Sequence, residues 1–213
     1  MEPLRIALAK GRIAQDAISL LIRAGYDLKN YDKSSRRLVF DDPEGRVSIV
    51  FVKSDDIPIY VEKGAADIGI VGRDVLAECE ADVYEMLDLG FGRCRMCAAG
   101  FEPWRRTARK LTVASKYPNV ARRYFAREGI HTEVIRLNGS VELAPILGLA
   151  DIIVDIVETG TTLKENNLQI LETLFPVSAR LIVNKVSLKT RTAAVQELLR
   201  LLREQTETQE ETT

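Results

Sequence analysis

Short apolar strands alternate with amphipathic helices along this chain, and that alternation restricts it to a layered α/β fold. Leu4 to Ala9 reads as an apolar strand. Past the turn Lys10-Gly11-Arg12, the residues Ile13, Ala17, Leu20, Leu21 and Ala24 recur at helical spacing until Gly25 stops them. Residues 38–40 and 47–52 read as two strands joined by Asp41-Asp42-Pro43-Glu44-Gly45, with Lys53 directly after the second. Residues 67–71 form another strand, which ends in Gly72, Arg73 and Asp74. The pattern repeats with a strand at 111–115 and a helix opened by Pro118, whose residues Val120, Ala121, Tyr124 and Phe125 face inward. A strand at 134–137 ends in Asn138-Gly139-Ser140, where Ser140 suits the N-cap of a helix beginning near Glu142. Residues 177–183 give a late strand, and a helix with Val195, Leu198, Leu199 and Leu202 on one face closes the fold. Residues 204–213 are Glu, Gln and Thr only, a composition that predicts disorder.

The stretch from Asp151 to Leu163 carries the strongest chemical signal. Ile152 to Val157 is a β-branched run interrupted by Asp155, the look of a strand buried on both faces whose end carries a polar group. The chain then turns through Thr159, Gly160, Thr161 and Thr162, which supply three hydroxyls and a glycine that accepts positive φ. With the unpaired N–H groups of a helix start, they form a cradle for phosphate. Asp155 and Glu158 lie just ahead of it. A carboxylate repels bare phosphate but accepts hydrogen bonds from the hydroxyls of a ribose attached to one. The ligand so described is a sugar phosphate of the ribose 5-phosphate type. A purely structural alternative also exists: Thr162 with Glu165 three residues on has the form of a capping box.

Three separate strands finish in cations: Lys10 and Arg12, Lys53, and Arg73. Ligands of open α/β sheets bind outside the carboxyl ends of strands, so these side chains converge on an anion site, although each alone would pass as a solvated loop charge. With 30 Lys and Arg against 31 Asp and Glu, the net charge is −1 and there is no global basic field for nucleic acid. A small anionic substrate fits better. No run approaches a membrane span and no export signal opens the chain, so the expected location is cytoplasmic. Cys94 and Cys97 form a CxxC within a strand-like segment, where positions three apart point to opposite faces. With no second pair and no nearby His, they read as core or surface thiols rather than a metal or redox pair. A length of 213 residues with 46% hydrophobic composition fills one large core or two small ones. No linker is visible, so a second domain has to be inserted in the first, giving 1–91 with 178–213 as one domain and 92–177 as the other, which carries the phosphate loop.

Four motifs in order, Lys10-Gly11-Arg12, Asp67 to Asp74, Leu137-Asn138-Gly139-Ser140 with Glu142, and Asp155 to Leu163, make the sequence resemble the catalytic chain of the ATP phosphoribosyltransferase family in its short form. The resemblance spans nearly the whole chain. It implies a fold similar to the type II periplasmic binding proteins, two α/β domains across a cleft. It also implies the first reaction of histidine biosynthesis, in which N1 of the adenine of ATP is joined to C1 of phosphoribosyl pyrophosphate, with Mg²⁺ carried by the substrates and pyrophosphate released.

By resemblance and chemistry together, Thr159, Gly160, Thr161 and Thr162 hold the 5-phosphate, while Asp155 and Glu158 hold the ribose. Asp155, Lys10 and Arg12 are the expected catalytic residues. Gly11, Lys53, Arg73, Asp74, Gly139, Ser140 and Glu142 would share the ATP phosphates and pyrophosphate. The nucleophile is a neutral ring nitrogen, so no strong base is needed and the lone histidine, His131, has no required role. Long-form relatives carry a histidine-binding domain. The short form implies instead a separate regulatory subunit similar to histidyl-tRNA synthetase, assembled into a hetero-oligomer. Two other classes share part of this logic: a solute-binding or anion-binding module of the same fold, and an ordinary nucleobase phosphoribosyltransferase.

Overall fold

The computed structural model describes residues 2–101 and 110–210. The chain divides into two compact units, one of Met1–Gly92 with Ser178–Thr213 and one of Arg93–Val177.

The first unit is built on a six-stranded sheet of order β2-β3-β1-β4-β11-β5. Its strands are β1 (Leu4–Leu8), β2 (Val39–Asp41), β3 (Val47–Phe51), β4 (Ile68–Gly72), β5 (Tyr84–Asp88) and β11 (Ala179–Val183). β1 pairs in parallel with β3, from Leu4 opposite Val47 to Leu8 opposite Phe51, and in parallel with β4 on its other side. The carboxyl ends of these three strands therefore share one edge. Both faces are covered, as a parallel sheet requires. On one face Ile6, Leu8 and Ile49 pack with Leu20 and Leu21 of α1 (Arg12–Arg23) and with Leu198 and Leu202 of α8 (Thr192–Glu210). On the other, Ala7 and Ile182 pack with Ile57 and Val61 of α2 (Ile57–Glu62) and Val75 of α3 (Arg73–Cys79).

A polar clasp closes the amino-terminal edge. Asp67 accepts the Arg5 N–H at 2.9 Å, the Ser187 hydroxyl at 2.7 Å and the Arg191 guanidinium at 2.8 Å. Asn184 caps α7 (Lys185–Thr190) by accepting the N–H groups of Val186 and Ser187, both at 2.8 Å. Its amide donates to the Val61 carbonyl at 2.7 Å.

The second unit holds a five-stranded sheet of order β10-β6-β9-β7-β8. Its strands are β6 (Cys94–Gly100), β7 (Leu111–Ser115), β8 (Thr132–Arg136), β9 (Ile152–Val157) and β10 (Gln169–Val177). β7 is parallel to both β8 and β9, while β6 runs antiparallel to β9 and to β10. Ile153 and Val157 pack with Val141, Ala144, Leu163 and Leu168, residues in and around α5 (Leu143–Ile146) and α6 (Thr161–Glu165). α4 (Pro118–Arg127) contributes buried Val120, Ala121 and Phe125.

Four expectations need correction. The late strand is two: Val177 ends β10, and Ser178 breaks away because its carbonyl accepts the Arg73 N–H at 3.0 Å while the Ala179 N–H turns to the Phe91 carbonyl at 2.9 Å. Ser140 is not an N-cap. It adopts φ 48°, its carbonyl accepts the Leu143 N–H at 3.2 Å, and Glu142 stands at the cap position of α5. The capping box does not form either, because Gly160 is the cap residue and Thr162 already lies inside α6. Finally, residues 204–210 are not disordered but continue α8, with Glu204 paired to Arg200 at 2.6 Å one turn earlier. The last three residues of that expected tail lie outside the described residues.

Candidate active site

In the first unit, the parallel register brings the sequence-predicted cations to one edge of the sheet. Lys10, Gly11 and Arg12 follow β1, Lys53 follows β3, and Arg73 begins α3 immediately after β4. Lys10, Arg12 and Lys53 are exposed and Arg73 is half-buried. Gly11 is the cap residue of α1. The Lys10 ammonium donates to the Ser35 carbonyl at 2.6 Å and lies 5.7 Å over the Phe51 ring. Asp74 is 8% exposed, and its carboxylate folds back on Gly72. A Cβ added at Gly72 would come 2.1 Å from its Oδ1, so the glycine makes room for the carboxylate. The structure thus gives Asp74 a place in the first turn of α3, where a negative charge is favoured.

In the second unit, β9 ends at the same edge as its parallel neighbour β7, and β8 flanks β7 on the far side. That edge gathers Asp155, Glu158 and Thr159 to Thr162 from the exit of β9, and Gly139, Ser140 and Glu142 from the exit of β8. Alternation puts Asp155 on the sheet face of Ile153 and Val157, the last polar position before the turn. It stands opposite Cys97 in the ladder and accepts its neighbour Ile156's N–H at 2.9 Å. Cys97 is a core thiol with its sulfur 3.8 Å from the Thr173 hydroxyl, and Cys94 is half-buried.

Gly160 adopts φ 79°, ψ 8°, the left-handed geometry that tips the chain into α6. The Thr159 hydroxyl lies 3.0 Å from that of Thr161 and accepts the Thr161 N–H at 3.4 Å. Thr159, Thr161, Thr162 and Glu158 are exposed. The first-turn N–H groups of α6 have no carbonyl of their own helix to reach. Together these groups gather donors at one turn, with Asp155 and Glu158 just ahead of them in the chain.

Sequence reasoning passed over two cations at this second edge. Lys116 directly follows β7, and Arg95 stands opposite Val157 in the ladder. Lys116 obeys the same rule that singled out Lys53, a cation just past a strand, and could have been found that way. Arg95 could not, because it enters from the antiparallel neighbour.

Two α/β sheets, each with polar groups gathered at the carboxyl ends of parallel strands, define the class: a protein built on the frame of the periplasmic binding proteins. The aliphatic sulphonate binding protein SsuA of Escherichia coli shares that fold, with a TM-score of 0.61 at 16% identity over 100% of this chain and 72% of that one. Residues 53–204 match the family model HisG, ATP phosphoribosyltransferase, and the chain belongs to that family. An ATP phosphoribosyltransferase of Oceanobacillus iheyensis is 51% identical over 95% of this chain and 98% of its own length. One from Thermoanaerobacter sp. is 50% identical over 98% of each. Among solved structures, the ATP phosphoribosyl transferase (HisG:HisZ) complex of Thermotoga maritima contains a chain 37% identical, with a TM-score of 0.84 over 96% of this chain and 99% of that one. Membership makes the chain a pentosyltransferase of histidine biosynthesis.

Proposed function

We propose that this chain joins N1 of the adenine of ATP to C1 of the ribose of phosphoribosyl pyrophosphate, with the C1–oxygen bond breaking as pyrophosphate leaves with the electron pair. The observation that carries the reading is the β9 corner, where Asp155 and Glu158 precede a left-handed Gly160 and three threonine hydroxyls. Thr159, Thr161 and Thr162, with the first-turn N–H groups of α6, bind the 5-phosphate. Asp155 and Glu158 accept from the ribose hydroxyls. The displacement inverts C1 and passes through an oxocarbenium-like transition state, so Asp155 stabilises charge that develops only there. N1 already carries a free lone pair, and no side chain has to create the nucleophile. Lys10, Arg12, Lys53 and Arg73 offset the phosphate charge of ATP and of the departing pyrophosphate, with Gly11, Asp74, Gly139, Ser140 and Glu142 shaping the surrounding turns.

Mg²⁺ would enter on the phosphates of the substrates, keeping several of its waters and needing no fixed ligand from this chain. When bound, it neutralises part of the charge gathering on pyrophosphate.

The Thermotoga maritima relative, solved as a HisG:HisZ complex, supports a hetero-oligomer for this chain as well; the proposed partner is a regulatory subunit similar to histidyl-tRNA synthetase. No helix among the described residues is long and apolar enough to cross a membrane; the proposed location, the cytoplasm, rests on the biosynthetic reaction of the relatives. Pyrophosphate release with phosphoribosyl pyrophosphate and ATP, against the same assay with free adenine or with GTP, tests the reaction. Release with ATP alone among the acceptors is expected. Release with free adenine in its place would point to an ordinary nucleobase transferase, and binding without release to a solute-binding module.

A further inference from the structure

Two cations flank Asp155 in the second sheet, and the strand register says how each is placed. β7 and β9 are parallel, with Ala114 opposite Ile153 and Ser115 opposite Val154, so the next step of the same register sets Lys116 beside Asp155. Ala114 and Ile153 pack in one core cluster. Because side chains alternate along a strand, Lys116 continues the face of Ala114 and Asp155 the face of Ile153. The two residues therefore lie side by side on one face, on neighbouring strands about 4.8 Å apart. Both are half-buried. Arg95 comes from the other flank less directly. It stands opposite Val157, while Cys97 stands opposite Asp155, so Arg95 lies on the diagonal, and it is exposed.

The backbone around Lys116 is held from both sides. The buried Ser115 hydroxyl donates to the Val154 carbonyl at 2.6 Å and accepts the Tyr117 N–H at 2.8 Å. The Ser115 carbonyl accepts the Leu137 N–H at 3.0 Å. Tyr117 is 4% exposed and caps α4, and the Lys116 ammonium lies 5.8 Å from the centre of its ring. A side chain rooted in so constrained a backbone keeps its charge in one place. Phosphoribosyl pyrophosphate gives such a charge a task. Asp155 has to face the ribose, yet the ribose carries phosphate at both ends, and those phosphates repel a carboxylate. A cation fixed beside the carboxylate offsets the repulsion and sets its direction.

We propose that Lys116 is the positioning residue for Asp155: its ammonium pairs with the carboxylate from the neighbouring strand and holds it toward the ribose. The inference rests on the transferase reading above. It gives Lys116 no contact of its own with substrate.

A double-mutant cycle of Lys116→Met and Asp155→Asn tests this, with kcat and KM measured on the full chain together with its partner subunit. Lys116→Met keeps the apolar stem and removes the charge. It should lower kcat about 10-fold, the scale of coupling between neighbouring charges, with a smaller change in either KM. In the Asp155→Asn background the same change should cost nothing further, because the lysine acts through the aspartate. Lys116→Gln repeats the cycle with a polar side chain, so a folding defect in one variant does not decide the outcome, and Lys116→Arg should recover part of kcat. Lys110→Met, at the other end of β7 where Lys110 pairs with Glu133 at 3.0 Å, controls for loss of charge and should change nothing. Equal losses from Lys116→Met in both backgrounds, or a raised KM for phosphoribosyl pyrophosphate with kcat unchanged, would overturn the inference and make Lys116 an independent contact of the substrate. Wild-type kinetics in Lys116→Met and Lys116→Gln would overturn it as well. In each of these cases a loss of kcat in Asp155→Asn leaves the transferase reading standing. Near-normal kcat in Asp155→Asn would remove the role of Asp155 and the inference together, and no transfer by the wild-type complex would sink the transferase reading itself.

Discussion

Gly160 turns the chain from β9 into α6 at φ 79°, a conformation that valine enters only under strain. The Gly160→Val variant should therefore lose the shape of the phosphate cradle, and the β-branched side chain would stand where a phosphate must approach the backbone. The strain alone is about 1–3 kcal/mol, so the KM for phosphoribosyl pyrophosphate should rise on the order of 10-fold or more. The KM for ATP serves as internal control, and unchanged constants for both substrates would remove the turn from the site. Asp155, two residues before the strand's end, is proposed to contribute charge rather than shape. Asp155→Asn keeps the size and the hydrogen-bond acceptor but removes the charge, so kcat should fall about 10²-fold with a smaller change in KM. Near-normal kcat would move the stabilising role elsewhere. Ser140 shows what residue-level reading misses: its φ of 48° at the exit of β8 is a strained geometry for serine, and nothing in Asn138-Gly139-Ser140 says which of the three takes the left-handed position.

At the scale of elements, β1, β3, β4, β7 and β9 were legible as short apolar runs closed by turn residues, and α1 and α4 by their 3.6-residue period. The β9 corner was legible for the same reason, with its polar residues standing at the end of an apolar run. β10 was not, because two register shifts, between Ile170 and Glu172 and between Thr173 and Phe175, break its alternation. The place of β11, antiparallel beside β4 from a distant part of the chain, is a pairing that sequence does not display. The Asp67 clasp is similarly long-range, tying the start of β4 to Arg5 on one side and to Ser187 and Arg191, 120 and 124 positions away, on the other. Sequence offered Asp67 only as the first residue of a strand and of a motif. Asp67→Ala should leave the Arg191 guanidinium and Ser187 hydroxyl without their acceptor and free α7 and α8 from β4. A loss of about 3–5 kcal/mol is expected for breaking such a partly buried charged network, read as a lower denaturation midpoint by urea. A midpoint equal to wild type would show that apolar packing of α8 alone, through Val195, Leu198 and Leu202, holds the terminal helices.

At the scale of the whole molecule, the question is where control by the pathway's end product enters. The polar groups at the carboxyl edges of both sheets are assigned above to ATP and phosphoribosyl pyrophosphate, and a regulator bound at those groups would compete directly with substrate. Control without competition needs a separate site and a second conformation whose balance the regulator shifts. The relatives of this chain match it over about their full length, 98% for that of Oceanobacillus iheyensis, and the Thermotoga maritima relative was solved as a complex with a second protein. We propose a partner subunit as the place where histidine binds. We expect the purified chain alone to have little activity and no response to histidine, and the addition of the partner to raise activity and confer inhibition together. Linkage requires that if histidine on the partner weakens substrate binding here, substrate weakens histidine binding there by the same factor. The check is a histidine titration of activity with and without partner, followed by calorimetric titration of histidine into the complex at rising phosphoribosyl pyrophosphate. Full activity from the chain alone would overturn activation by a partner, and inhibition by histidine with no partner present would place the regulatory site on this chain. Histidine affinity indifferent to substrate in an inhibited complex would instead locate the effect in the rate of turnover rather than in binding.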